Sequence, residues 1–364
     1  MIIQDVINHL EALAPLAYAE DFDNVGLLVG DKNEVLTGVL VTLDTLETVV
    51  DEAIEKECNL IVSFHPIIFK GLKKITGKSY VERVVLKAIK HNIAIYAIHT
   101  ALDNAIQGVN DMICNTIGLT NKKILMPQSQ TIKKLTTYVP KNEAEDLRAA
   151  LFDAGAGHIG NYSNCSFNTD GLGTYQGNDN ANPTLGEKGT MHSEEETQIS
   201  VIFAKHLEAQ VINTLLNAHS YEEVAYEVIT IENKNKDIGM GMIGEFEKDM
   251  NETDFLSHLK TSMQTDCVRH SKLLNKTVKK VAVLGGSGSF AINAAKAAGA
   301  DVFVTADLKY HDFFTAENQI LLADVGHYES EQFTKNLLVT YLTKKITNFA
   351  VVLSNTNTNP VKYF

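Results

Sequence analysis

Ile320-Leu321-Leu322-Ala323-Asp324-Val325-Gly326-His327-Tyr328-Glu329-Ser330-Glu331 is the stretch whose reading decides the fold. The apolar run Ile320 to Ala323 has the length of a buried strand. Asp324 and Gly326 break it, and a helical pattern begins after the glycine. His327 and Glu331 are four residues apart, so on that helix they share one face. Imidazole and carboxylate are nitrogen and oxygen ligands for a divalent transition metal. Strand, glycine and helix together form one unit of an alternating α/β protein.

Working outward, the same unit recurs. Gly38 to Leu43, Leu60 to Phe64, Ile93 to Ile98, Val278 to Leu284 and Asp301 to Thr305 read as strands, and Phe349 to Leu353 closes the series. Helical spacing covers Ile3 to Leu13, Val81 to Ile89, Val109 to Ile117 and Phe290 to Ala298. Asp44, with Glu47 three residues later, has the spacing of a capping box for a further helix. The predicted fold is α/β: a mostly parallel sheet flanked by helices, formed by residues 1–128 and 236–364.

Residues 129–235 break the rhythm. Thr131 to Val139, Gln198 to Phe203 and Val224 to Ile231 read as strands, and Glu143 to Phe152 and His206 to Ala218 as helices. Between them lies a long polar, glycine-rich region, Gly155 to Glu196, with a short strand candidate at Asn164 to Asn168. This β-α-β…β-α-β order predicts an inserted ferredoxin-like α+β domain.

Three clusters now share a topological position. His65 follows one strand, Asp103 lies shortly after another, and His327 and Glu331 follow a third. In open α/β sheets, ligands bind outside the carboxyl ends of the strands. Two imidazoles and two carboxylates there predict a site for a divalent ion. Taken singly, each has an ordinary structural reading as a turn former, a cap or an exposed helix pair. Gly285-Gly286-Ser287-Gly288-Ser289, between a strand and a helix, reads either as an anion cradle or as a tight turn. Asp307, Lys309, Tyr310 and His311 follow another strand and are candidates for ligand support or substrate contact.

Bulk properties set limits. The chain has 364 residues and a formal charge of -13, which disfavours nucleic acid and anionic membrane as partners. Its four cysteines are widely separated, as expected of reduced thiols in a cytoplasmic protein. The amino-terminal residues lack the pattern of a signal peptide, and no apolar run reaches the roughly 20 residues of a membrane span.

Several motifs together resemble one family. They are Phe22-Asp23-Asn24-Val25-Gly26, Ser63-Phe64-His65-Pro66-Ile67-Ile68-Phe69-Lys70-Gly71, His99-Thr100-Ala101-Leu102-Asp103-Asn104-Ala105, the glycine turn, Asp307-Leu308-Lys309-Tyr310-His311-Asp312 and Gly326 to Glu331. In this order they resemble the GTP cyclohydrolase 1 type 2 homologues, the NGG-interacting-factor-three-like family. The insert resembles the PII- or CutA-like domain of its longer bacterial members. The resemblance implies a dinuclear site at His65, Asp103, His327 and Glu331, holding one or two divalent ions such as Zn, Fe or Mn. It also implies a toroidal homohexamer with the sites facing an internal cavity.

Two positions depart from the family pattern. Phe64 stands where the family has the first of two paired histidines, and Phe22 replaces a tryptophan. A second ion would therefore be weakly held, held through another residue such as His99, or absent. The expected function is hydrolysis, by a metal-dependent enzyme, of a small phosphorylated or nucleotide-like molecule. The alternative is a non-enzymatic metal-binding assembly whose insert serves regulation or a partner. A DNA-encircling role would suit a toroid but not the charge.

Overall fold

The computed structural model describes residues 1–364. The chain packs into two compact units, one made of Met1–Pro127 with Lys236–Phe364 and the other of Gln128–Asn235. No helix is long and apolar enough to cross a membrane.

The first unit holds two sheets where the sequence reading expected one. The five-stranded sheet runs Gly26–Val29, Ala94–Ala97, Leu60–Ser63, Val39–Thr42 and Val351–Leu353 from edge to edge. Its first pairing is antiparallel and the other three are parallel. The six-stranded sheet runs Arg269–His270, Leu321–Asp324, Val302–Ala306, Thr277–Ser287, Gly239–Asn251 and Thr120–Pro127. Only its Leu321–Asp324, Val302–Ala306 and Thr277–Ser287 strands pair in parallel; the outer pairings are antiparallel. The expected parallel rhythm thus runs through part of each of two mixed sheets.

Burial explains the short, unbroken apolar strands. Strands Val39–Thr42, Leu60–Ser63 and Ala94–Ala97 are buried at every position. With a side-chain period of two, each feeds two cores. Leu40, Ile61 and Ile95 face a core with Val49, Val50, Val84 and Ala88 from the helices Glu47–Glu55 and Tyr80–Lys90. Val41, Val62 and Tyr96 face a larger core that also takes Val281, Val304 and Ala323 from the six-stranded sheet. One continuous apolar interior therefore joins the two sheets, and the carboxyl ends of strands from both can reach one site.

Gln128–Asn235 forms a four-stranded antiparallel sheet in the order Ser166–Tyr175, His192–Ala204, Ile132–Pro140, Tyr226–Ile231. Leu135, Val139, Ile199, Val201 and Phe203 pack on one face against Leu147, Leu151, Val211 and Leu215 of the helices Ala144–Asp153 and Glu208–Ala218. Phe167 and Ile229 are exposed. The polar, glycine-rich region, expected to hold only short strands such as Asn164 to Asn168, contains a long hairpin, with Ser166–Tyr175 paired along its whole length to His192–Val201.

Candidate metal centre

Three segments deliver the site. After the strand Leu60–Ser63, the amides of Phe64 and His65 donate to Thr42 O and Leu43 O, which pins the chain before Pro66. The helix His99–Asn104 begins shortly after Ala94–Ala97 and carries His99 and Asp103. Beyond Leu321–Asp324, Gly326 has φ +93°, and a side chain there would put its Cβ 2.3 Å from Glu329 Oε2. Glycine permits this turn, and the helix His327–Glu331 starts immediately after it.

His65 Nε2 lies 3.2 Å and His327 Nε2 3.3 Å from the same atom, Glu331 Oε2. The ligand atoms of these three residues all fall within 4.8 Å of one another. Glu331 is only 3% exposed, yet its Oε2 has no partner aligned for a hydrogen bond. A buried carboxylate oxygen at ion-pair distance from two imidazole nitrogens, with neither aligned for a hydrogen bond, is an arrangement a cation can complete.

The far side of each imidazole is fixed by a carboxylate. His65 Nδ1 is 2.9 Å from Asp44 Oδ1, and His327 Nδ1 is 2.7 Å from Asp307 Oδ2. An Nδ1–H donated outward leaves the Nε2 lone pair directed inward, the tautomer a metal ligand needs. Ser287 Oγ donates to the same Asp307 oxygen at 2.5 Å. Asp44 was read from the sequence as a helix cap; the helix Glu47–Glu55 has Leu46 at its cap and no side-chain capping bond. The helix begins two residues too late for Asp44 to cap it, and the Asp44 carboxylate instead holds His65.

The electrostatics follow from this crowding. Burial acts to raise the Glu331 carboxyl, but His327 and His65 outweigh it and hold it at about 2. Burial acts to lower His65, and Asp44 and Glu331 overcome it, lifting the imidazole to about 10. His327 is lifted to about 9, chiefly by Glu331. Without an ion, the site compensates its carboxylates with two imidazolium protons; a divalent cation supplies the same charge.

Asp103 is close but separate. Its oxygens lie outside the three-residue cluster, although burial and the Glu331 charge push its carboxyl well above the ordinary range. Asp103 Oδ1 is buried and unpartnered, the second such oxygen here. His99 also lies outside the cluster; its Nδ1 is 2.9 Å from Asp23 Oδ1 and its ring centroid 5.1 Å from that of His65. Phe64 is fully buried, with its ring 4.9 Å from His65 and 5.4 Å from His99. It gives this side of the site an apolar wall.

The glycine turn serves the site differently from an anion cradle. Gly285 N–H donates to Asn110 Oδ1 and Gly286 N–H to Ser330 Oγ, so neither amide is free. Gly286 has φ +67°, and a Cβ there would sit 2.5 Å from Glu331 Oε1. A Cβ on Gly288 would meet Thr305 Oγ1 at 2.1 Å. The small residues let Glu331 lie against the backbone. Lys309, Tyr310 and His311 are exposed. Tyr310 and His311 stack on each other and on Phe314, and none of the three lines the cavity beside the cluster.

That cavity, of about 410 Å³, opens beside His65 and His327 and is lined also by Asp44, Arg269, Tyr328 and Tyr363. Arg269 is held by Asp324 Oδ2 at 3.1 Å and by Leu308 O at 2.6 Å. Sequence reading missed Asp44 and Arg269 as site residues. Asp44 follows a strand of the same sheet as His65, so strand-end position was the available signal.

Comparison with known proteins identifies the family. Residues 1–360 match the model of the Duf34/NIF3 (NGG1p interacting factor 3) family. The chain belongs to the NIF3 family. Among its NIF3 relatives is a Bacillus subtilis protein named GTP cyclohydrolase 1 type 2 homolog, 39% identical over 99% of this chain and 98% of that protein. A solved Bacillus cereus structure, described as related to NIF3, superposes with a TM-score of 0.85 at 37% identity, covering 100% of this chain and 99% of that one. A Staphylococcus aureus structure superposes with a TM-score of 0.79 at 32% identity, with the same coverage.

Proposed function

We propose that the protein binds a divalent transition-metal ion through His65, His327 and Glu331, and that it is a hydrolase of a small phosphorylated or nucleotide-like substrate. The observation that carries the reading is the convergence of two imidazole Nε2 atoms on one buried carboxylate oxygen, Glu331 Oε2. A divalent ion bound there supplies Lewis acidity, which activates water and polarises a phosphoryl or carbonyl oxygen. The protein's own groups do the rest. Asp44 and Asp307 keep their protons on the Nδ1 side of the two imidazoles. Asp103, buried and held well above the usual carboxylate range, would give or take a proton or add a fourth ligand oxygen. The adjoining cavity is large enough for a small molecule; Arg269 on its wall is paired with Asp324, and Asp44, Asp307 and Glu329 also line it, so an anionic group there would rely on the bound ion for its countercharge.

The relatives' name points to ring opening of GTP. Nothing on the cavity wall singles out guanine, so the substrate class is kept broader. The order of strands and helices in Gln128–Asn235 supports reading it as a ferredoxin-like inserted domain, and a homohexamer is carried over from the family resemblance. Phe64 favours a second reading, a non-enzymatic metal-binding assembly, because a second ion beside it would lack a ligand. Turnover decides. A panel of nucleotides and phosphoesters is assayed with Mn, Zn, Fe or Mg, wild type beside Glu331→Ala. The hydrolase reading expects ion-dependent turnover that the substitution abolishes; a blank across the panel with metal bound leaves the assembly.

A further inference from the structure

The segment after the strand Val351–Leu353 crosses towards the metal cluster, and its attachments differ in kind. Glu52, buried, accepts from Ser354 Oγ at 2.6 Å, Asn355 N at 2.8 Å, Thr356 Oγ1 at 2.8 Å and Thr356 N at 3.3 Å. Those four bonds dock the segment. Two residues further on, Thr358 is 6% exposed and donates its hydroxyl to Asp44 Oδ2 at 2.6 Å. Asn359 Nδ2 donates to Glu329 Oε1 at 3.0 Å. Pro360, Val361 and Tyr363 then form part of the cavity wall.

Asp44 therefore divides its two oxygens, Oδ1 to the His65 imidazole and Oδ2 to Thr358. A carboxylate can rotate about its Cβ–Cγ bond. A hydroxyl on one oxygen stops that rotation and so fixes where the other oxygen accepts. The direction of the His65 Nδ1–H, and with it the aim of Nε2, follows. Thr358 is not needed to keep the segment docked, since Glu52 does that with four bonds. What Thr358 alone supplies is a fixed orientation for Asp44.

We propose that Thr358 is a positioning residue for the metal ligand His65, acting through Asp44, so that the segment reaches the metal centre through this one side chain. The inference rests on the proposed role of His65 as a ligand. Its chemistry is tuning of ligand orientation; groups that orient ligands in this way typically change metal affinity by roughly 10–100-fold.

The test is Zn²⁺ affinity of the full chain, measured by competition with a chromophoric chelator. Wild type is compared with Thr358→Val, Thr358→Ala, Thr358→Ser and Asn359→Ala, with the melting temperature of each ion-free protein as the check on folding. The valine and alanine variants are expected to bind about 10-fold more weakly or worse. Serine restores the hydroxyl and is expected to bind within about 3-fold of wild type, and Asn359→Ala, which leaves Asp44 untouched, to bind like wild type. Should valine misfold, alanine carries the comparison, since it removes the hydroxyl without adding bulk. The proposal is overturned if both hydroxyl-free variants bind as wild type does, or if Asn359→Ala weakens binding equally, which would make Thr358 a docking contact only. A wild type that binds no Zn²⁺ overturns the ligand role of His65 and this inference with it.

Discussion

His65 and Glu331 meet at 3.2 Å, although they come from the carboxyl ends of strands in two different sheets. The site thus sits where one shared apolar interior brings two sheets together. The ion-binding cluster and the large core are consequently coupled, and changes in one should be felt in the other.

Phe64 is the first place to test that coupling. Phe64→His puts a further imidazole beside both His65 and His99. The expected outcome is a rise in metal content from about one ion per chain towards two, read by elemental analysis. Burying a polar ring at a fully buried site should cost about 2–4 kcal/mol of stability, read by urea unfolding.

The ion-free protein should lose stability in the alkaline range. His65 and His327 are raised to about 10 and about 9 in the folded state, against an ordinary value of 6.5. A raised folded value means the contribution is complete below the unfolded value. It is lost as pH climbs through the folded ones, here from about 6.5 to 10. Melting temperature measured with a chelator should therefore fall across that range. With Zn²⁺ the fall should be smaller, because binding displaces the same protons.

Glu52 should produce the opposite limb. Burial acts to raise its carboxyl, but Asn355, Lys56, Ser354 and Thr356 together hold it at about 2, below the ordinary 4.5. A depressed folded value gives stability that is complete above about 4.5 and lost as pH falls towards 2. Glu52→Gln should cost about 2–3 kcal/mol at neutral pH, with little further cost of its own on acidification. Urea unfolding at pH 7 and pH 3.5 measures both.

Gly286→Ala should damage the ion site more than the fold. The added Cβ would press on Glu331 Oε1 in a backbone conformation that side chains disfavour. A stability loss of about 1–3 kcal/mol is expected, together with loss of metal. Retained metal with wild-type affinity would mean that Glu331 can move without consequence.

Much of the site was legible because strand ends are legible. His65, His327 and Glu331 each follow an apolar run, and the residues that end those runs do meet. Asp44 was equally visible but its pattern was ambiguous, since the same spacing serves a helix cap and only the neighbouring strand end decides. Lys309, Tyr310 and His311 follow a strand too, yet only Asp307, at φ +57°, turns its side chain to the cluster. Leu308 N–H is then taken by Asp324 and the chain leaves the site.

The pairing of strands was not legible. A strand and helix rhythm does not say which strands are neighbours, so two mixed sheets read as one. Ser166–Tyr175 escaped as a long strand because none of its residues is buried and Thr169 to Leu172 are exposed in succession. A strand without a buried apolar face carries no apolar period to read.

The most direct test of the central claim is the metal content of the protein purified without chelator, wild type beside His65→Ala and Glu331→Ala. The account predicts about one transition-metal ion per chain in the wild type and its loss in both variants, with folding retained by circular dichroism. A wild type that is correctly folded and metal-free, and that takes up no Zn²⁺, Mn²⁺ or Fe²⁺ when these are supplied, would contradict it.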